Sequence, residues 1–174
     1  MSTHAAFWDY LSPSQKDLIR EGSYLYQEIY ANNKYAFVDY SFVVFPFAKA
    51  YEGFLKKFLL EMRCIGEEQY NSDYIRLGRL LSPDLADTVG SSIYSELASK
   101  VGDHLTDMIW NTWKFCRNQV FHYYPHNYKS LPLNEAENRV HMILKTIKYC
   151  HQALLSYQDN DSQKKTYSKA PKYL

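Results

Sequence analysis

FVVFPFAKAYEGFLKKFLLEM, residues 42–62, decides the fold. Phe47, Ala50, Phe54, Phe58 and Met62 recur at three- and four-residue spacing, and Val43, Leu55 and Leu59 widen the stripe. That period describes a helix buried along one side. Pro46 belongs in the first turns, because deeper in the helix it would remove a backbone hydrogen bond and clash with the preceding turn. The segment is the most apolar in the chain, yet Lys49, Glu52, Lys56 and Lys57 interrupt it. It reads as a core helix, not a membrane span.

Working outward, Ser12 as N-cap and Pro13 at the first helical position open a helix that runs to about Tyr30, with a shorter piece over HAAFWDYL before it. Ser82 and Pro83 repeat that signature and predict a helix over DLADTVGSSIYSELASK, broken at Gly102 and Asp103. HLTDMIWNTWKFCRNQVFHYY follows as a helix whose stripe includes Leu105, Ile109, Thr112 and Cys116. Pro125 biases Tyr124 away from helical angles, so this helix is expected to end at Tyr123 or Tyr124. A last helix begins at LNEAENRV, with Asn134 as cap and Glu137 at capping-box spacing, and ends near Tyr157. YAFVDYSFVVF carries β-formers, but no second strand is available to pair with it. Four substantial helices predict an all-α bundle with additional short helices. Residues 1–157 form one domain, 1–35 being an N-terminal helical extension, and 158–174 read as a disordered basic tail.

The composition, 46% hydrophobic with only six Gly and six Pro in 174 residues, excludes a disordered chain. Cys64, Cys116 and Cys150 show no CxxC or Cys/His pairing at metal-ligand spacing, which argues against a zinc site and for reduced thiols. MSTHAAFWDYL has neither the charged nor the apolar segment of a signal peptide, and a cytoplasmic protein is expected. Residues 1–116 carry 11 Lys/Arg against 15 Asp/Glu, a balance of −4, whereas 117–174 carry 9 against 4, a balance of +5. A basic C-terminal third suits a polyanion partner. Lys164 and Lys165, followed by Lys169 and Lys172 and interleaved with Tyr167 and Tyr173, are candidate RNA contacts.

WKFCRNQVFHYYPHN, residues 113–127, holds the chemistry. On a regular helix Asn118 and His122 share a face, with Arg117 displaced round the axis. Histidine moves protons near neutrality, and arginine forks onto phosphate oxygens. Those are the two services that RNA cleavage by the neighbouring 2′-hydroxyl requires. The same residues would also serve as complements to a helix C-terminus.

Arg117-Asn118-x-x-x-His122, before Pro125 and ahead of the last helix, resembles the Arg-polar-x(3)-His signature of the HEPN superfamily. FPFAKAYEGFLKKFLLEM followed by IGE resembles more narrowly the C-terminal HEPN domain of the RNase LS toxins. Together these matches span roughly residues 36–157. The resemblance implies a HEPN-like four-helix bundle, a homodimer with Arg/His pairs lining a shared cleft, and endoribonuclease activity without metal or cofactor. It also implies a place in a toxin–antitoxin or phage-defence system, with an antitoxin or inhibitor protein as partner. Glu52 matches a glutamate that accompanies the pair in that subfamily. Tyr124 completes Arg-x(4)-His-x-Tyr, the pattern of HEPN toxins silenced by adenylylation of the tyrosine. A non-catalytic HEPN-like module that binds RNA or a protein is the alternative.

Overall fold

The computed structural model describes residues 3–32, 35–84 and 92–168, with side chains from residue 7 onward and through residue 161 of the last helix. Among them there are helices and no strand. A short α1 (Thr3–Tyr10) precedes α2 (Pro13–Ala31). The Ser12 hydroxyl accepts from the Gln15 N–H, and the Gln15 side chain accepts from the Ser12 N–H, which satisfies two backbone donors at once.

α3 (Ser41–Glu61) is the axis of the fold. Its entire predicted stripe, from Val43 to Met62, is buried, with Phe54, Leu55, Phe58 and Leu59 fully so. Pro46 is tolerated in the second turn. Beyond α3 come two single-turn helices, α4 (Glu67–Tyr70) and α5 (Leu77–Leu80), then α6 (Ile93–Val101). Pro83 and Asp84 are helical directly after Ser82, as the Ser-Pro signature predicts, whereas Ser92 is not helical, and its hydroxyl caps the Ser95 N–H to start α6 at Ile93. Residues 85–91, inside the predicted span, lie outside the described residues. Gly102 ends α6 at φ 83°, a left-handed angle that suits glycine, and α7 (Asp103–Trp113) begins immediately.

α8 (Leu133–Ser168) closes the bundle against α3 and α7. The Pro132 carbonyl accepts the first helical bond, from the Ala136 N–H, which places Asn134 inside the first turn instead of at the cap. The helix also continues past Tyr157, so 158–168 are helical where a disordered tail was expected. Periodicity marks only the buried face of a helix; a solvated extension carries no stripe and leaves no such signal. Arg63, just past α3, meets Asp161 at 2.8 Å and holds the extension in place. Residues 169–174 are outside the described set.

Two buried polar links join the long helices. The Tyr51 hydroxyl donates to the Ile109 carbonyl at 3.1 Å, tying α3 to α7. Thr112 and Thr146 meet hydroxyl to hydroxyl at 2.8 Å, tying α7 to α8, with Thr146 donating onward to the Met142 carbonyl. The hydroxyls of Tyr51, Thr112 and Thr146 are thereby satisfied. No helix of the described residues is long and apolar enough to cross a membrane.

Candidate functional site

The helix that carries the motif changes form inside it. α7 passes into a π turn over Lys114–Asn118, in which the Gln119 N–H reaches back to the Lys114 carbonyl, and one further turn, Gln119–Phe121, ends the helix. A π turn holds one extra residue, and such insertions concentrate where a side chain must be re-aimed. Here Cys116 stays buried while Arg117 reaches out to α3. Burial pushes the Cys116 thiol up to about 12, only partly relieved by Arg139, so it is a protonated packing group and not a nucleophile.

Arg117 Nε lies 3.4 Å from Glu52 Oε2. The structure thus brings together two candidates that lie on different helices. The guanidinium carbon sits 5.2 Å from the Trp113 ring centre and 5.6 Å from that of Phe121, within cation–π range. Phe121 meets Phe45 edge to face at 5.1 Å. Phe45 and Glu52 are two turns apart on α3 and face the same helix end. Both members of the ion pair are about one-third exposed, so it contributes only about 0.2–1 kcal/mol. Arg117 Nε is buried without a hydrogen bond, because the approach of Glu52 lacks the alignment for one. The pair orients the guanidinium and leaves its donors uncommitted.

His122 is placed otherwise than the regular-helix reading expects. The helix ends at Phe121, and His122 is extended (φ −100°, ψ 127°) and exposed. The chain leaves the helix at the histidine, and no hydrogen bond joins it to Asn118 among the described residues. Neither residue makes a side-chain hydrogen bond or ion pair among the described residues. Tyr124 is extended, as the residue before a proline should be, and Lys129 Nζ sits 3.9 Å above its ring centre. Lys164 and Lys165 fall within α8, but their side chains lie outside the described residues.

The connector that carries His122 is held by a residue that sequence reasoning missed. Asp39 Oδ1 accepts from the Ser41 N–H, the Ser41 hydroxyl and the Leu131 N–H, and Oδ2 accepts from the Asn127 amide at 2.9 Å. The Tyr40 N–H adds a bond to the Leu131 carbonyl at 2.8 Å. Burial raises the Asp39 carboxyl, but the hydrogen bonds from Ser41, Asn127 and Leu131 outweigh it and hold the group below its ordinary value. His126 and Asn127 are left-handed, at φ 56° and 51°, a strained state that needs such an anchor. An Asp two residues before a helix-opening Ser was the available signal, since that spacing makes an Asx turn.

Among the described residues, no three His, Cys, Asp or Glu side chains gather at metal-ligand distance. The chain matches no protein-family model, no curated protein and no solved structure.

Proposed function

We propose that this protein is a metal-independent endoribonuclease of HEPN type, a cytoplasmic homodimer serving a toxin–antitoxin or phage-defence system under an inhibitor protein. The observation that carries the reading is Arg117, aimed by a π turn at Glu52 and stacked between aromatic rings with its donors unspent. In the reaction the 2′-oxygen bonds to the adjacent phosphorus and loses its proton, while the 5′-oxygen leaves and gains one. The products end in 2′,3′-cyclic phosphate and 5′-hydroxyl. Arg117 meets the charge on the phosphorane, His122 transfers a proton, Glu52 orients Arg117, and Asn118 flanks them.

A second copy supplies what one chain does not, a histidine opposite each arginine. Phe45, Phe121 and Tyr123, all exposed beside the site, support that dimer. Tyr124 is the proposed position of any silencing modification.

The decisive experiment is cleavage of RNA in EDTA by wild type, Arg117→Ala and His122→Ala. Wild type should cut and leave cyclic-phosphate ends, and each variant should lose roughly 100-fold or more. Equal cutting by all three would sink the assignment.

One observation favours a second reading, a module that binds RNA or a protein without cutting. Among the described residues His122 has no hydrogen-bond or ion-pair partner at the end of its helix. That reading expects saturable RNA or protein binding that weakens in Arg117→Ala, with no scission in any of the three proteins.

A further inference from the structure

On the side of the π turn away from α3, a cavity of about 290 Å³ opens between the turn, the Lys129–Leu131 connector and the first turns of α8. Phe115, Val120 and Leu131 give it apolar walls, and Lys129, Arg139 and Glu135 are its charged lining residues. The guanidinium carbon of Arg139 is 5.2 Å from the Phe115 ring centre. Arg139 Nε is buried and makes no hydrogen bond. Glu135, which lines the same cavity, approaches Nη2 only to 3.9 Å, beyond hydrogen-bond range, and is itself nearly half exposed. Lys129 has no carboxylate within ion-pair reach among the described residues; its ammonium rests on the Tyr124 ring. The polar side chains of Gln119 and Ser130, also on the wall, make no hydrogen bond there either.

A buried guanidinium donor without an acceptor is costly and rare in a folded chain. Lys129 and Arg139 line one small cavity with a single, half-exposed carboxylate, so an anion held there would be attracted by the charge that Glu135 leaves uncompensated. The donors on its wall are of the kinds a phosphate uses: a flat fork from Arg139, a point charge from Lys129, and neutral donors from Gln119 and Ser130. The cavity lies at the small end of ligand sites, with room for a phosphate and part of a sugar or ring against Phe115.

We propose that this cavity is a phosphate-ester site, with Arg139 and Lys129 as its anion ligands. It does not rest on the nuclease reading, because the site is read by binding and not by scission. The phosphate has two sources, a free nucleotide or a phosphodiester of an RNA strand that passes around the π turn.

The test is titration calorimetry of the full chain with 5′-AMP, and fluorescence anisotropy with a short labelled RNA at several salt concentrations. The proteins are wild type, Lys129→Gln, Arg139→Gln and Arg117→Ala. Wild type should bind at least one ligand, and both cavity variants should weaken it about tenfold or more, Arg139→Lys recovering part of the loss. Loss confined to AMP identifies a free nucleotide, whereas AMP binding weakened by Arg117→Ala and by neither cavity variant places the nucleotide elsewhere and overturns the proposal. Loss of RNA affinity, with the salt slope reduced by about one per variant, identifies a strand phosphate. Binding of neither ligand to wild type, or equal binding by wild type and both cavity variants, would overturn the proposal. Thermal melts check folding, and if Arg139→Gln does not fold, Lys129→Gln decides alone.

Discussion

Where α3 ends, the chain closes its backbone. The Arg63 N–H returns to the Leu60 carbonyl and the Cys64 N–H to the Leu59 carbonyl, a Schellman arrangement with Arg63 in the left-handed position. Lys100 then covers what remains, donating to the Met62 carbonyl at 2.9 Å and the Arg63 carbonyl at 3.2 Å while Glu96 holds its charge. Around the start of α3 the opposite holds. Arg117 and Arg139 each keep a buried Nε without a hydrogen bond, Trp113 keeps an unpaired indole N–H, and Phe45 and Tyr123 face solvent. Both regions contain left-handed residues and charged side chains. One uses its donors to finish a helix, and the other holds them in place unspent. Uncommitted donors lower stability, so a fold tolerates them where a ligand or partner completes them.

The comparison can be broken by showing that both ends respond alike. The largest effect belongs to the core between them: Phe58→Ala should cost about 3–5 kcal/mol in urea unfolding. Whatever activity the wild type has should persist per folded molecule. At the closed end, Lys100→Met leaves two carbonyls to find new partners. It should cost about 1–3 kcal/mol and leave the proposed RNA binding and cleavage unchanged. A large functional loss there would end the contrast.

At the open end, Gly78→Ala sharpens it. A Cβ at Gly78 would stand 2.5 Å from Trp113 Nε1, so the indole beneath Arg117 must move. The cost should be about 1–3 kcal/mol, with a changed tryptophan emission and weaker function than that stability loss explains.

Acid should act on both sides in sequence. Burial lowers His151, with Glu61 opposing and Lys57 adding to the shift, and the hydrogen bonds already described lower Asp39. A group whose folded value is depressed binds more protons unfolded, so its contribution is present above the unfolded value and is lost as pH falls. Stability should therefore decline first below the ordinary histidine value of 6.5 and again below the ordinary aspartate value of 3.8. His151→Phe should remove the first decline and Asp39→Asn the second, both read from urea midpoints against pH. The smallest effect is at the surface, where Asp161→Ala should change stability by about 0–1 kcal/mol.

Some of this was legible without coordinates. The α3 stripe, the Ser12–Pro13 start and the Gly102 break each depend on residues within a turn or two of one another, and the structure holds them where periodicity and capping put them. Arg117 and Glu52 were singled out by pattern; that they lie 3.4 Å apart was not visible, because the contact joins two helices. The π turn was invisible for a different reason. KFCRN has ordinary helix formers, so nothing local marks the extra residue that accompanies the burial of Cys116 and the contact of Arg117 with α3.

The amino-acid sequence by itself determined that this chain is helical, which face of α3 is buried and where most helices start, since those follow from local spacing and caps. Only the tertiary structure decided the rest. It ended the motif helix at Phe121, left His122 outside it, carried α8 on to Ser168 and used Asp39 to hold the connector. Each of those outcomes depends on partners distant in the chain. Their contacts override local preference once the helices have packed.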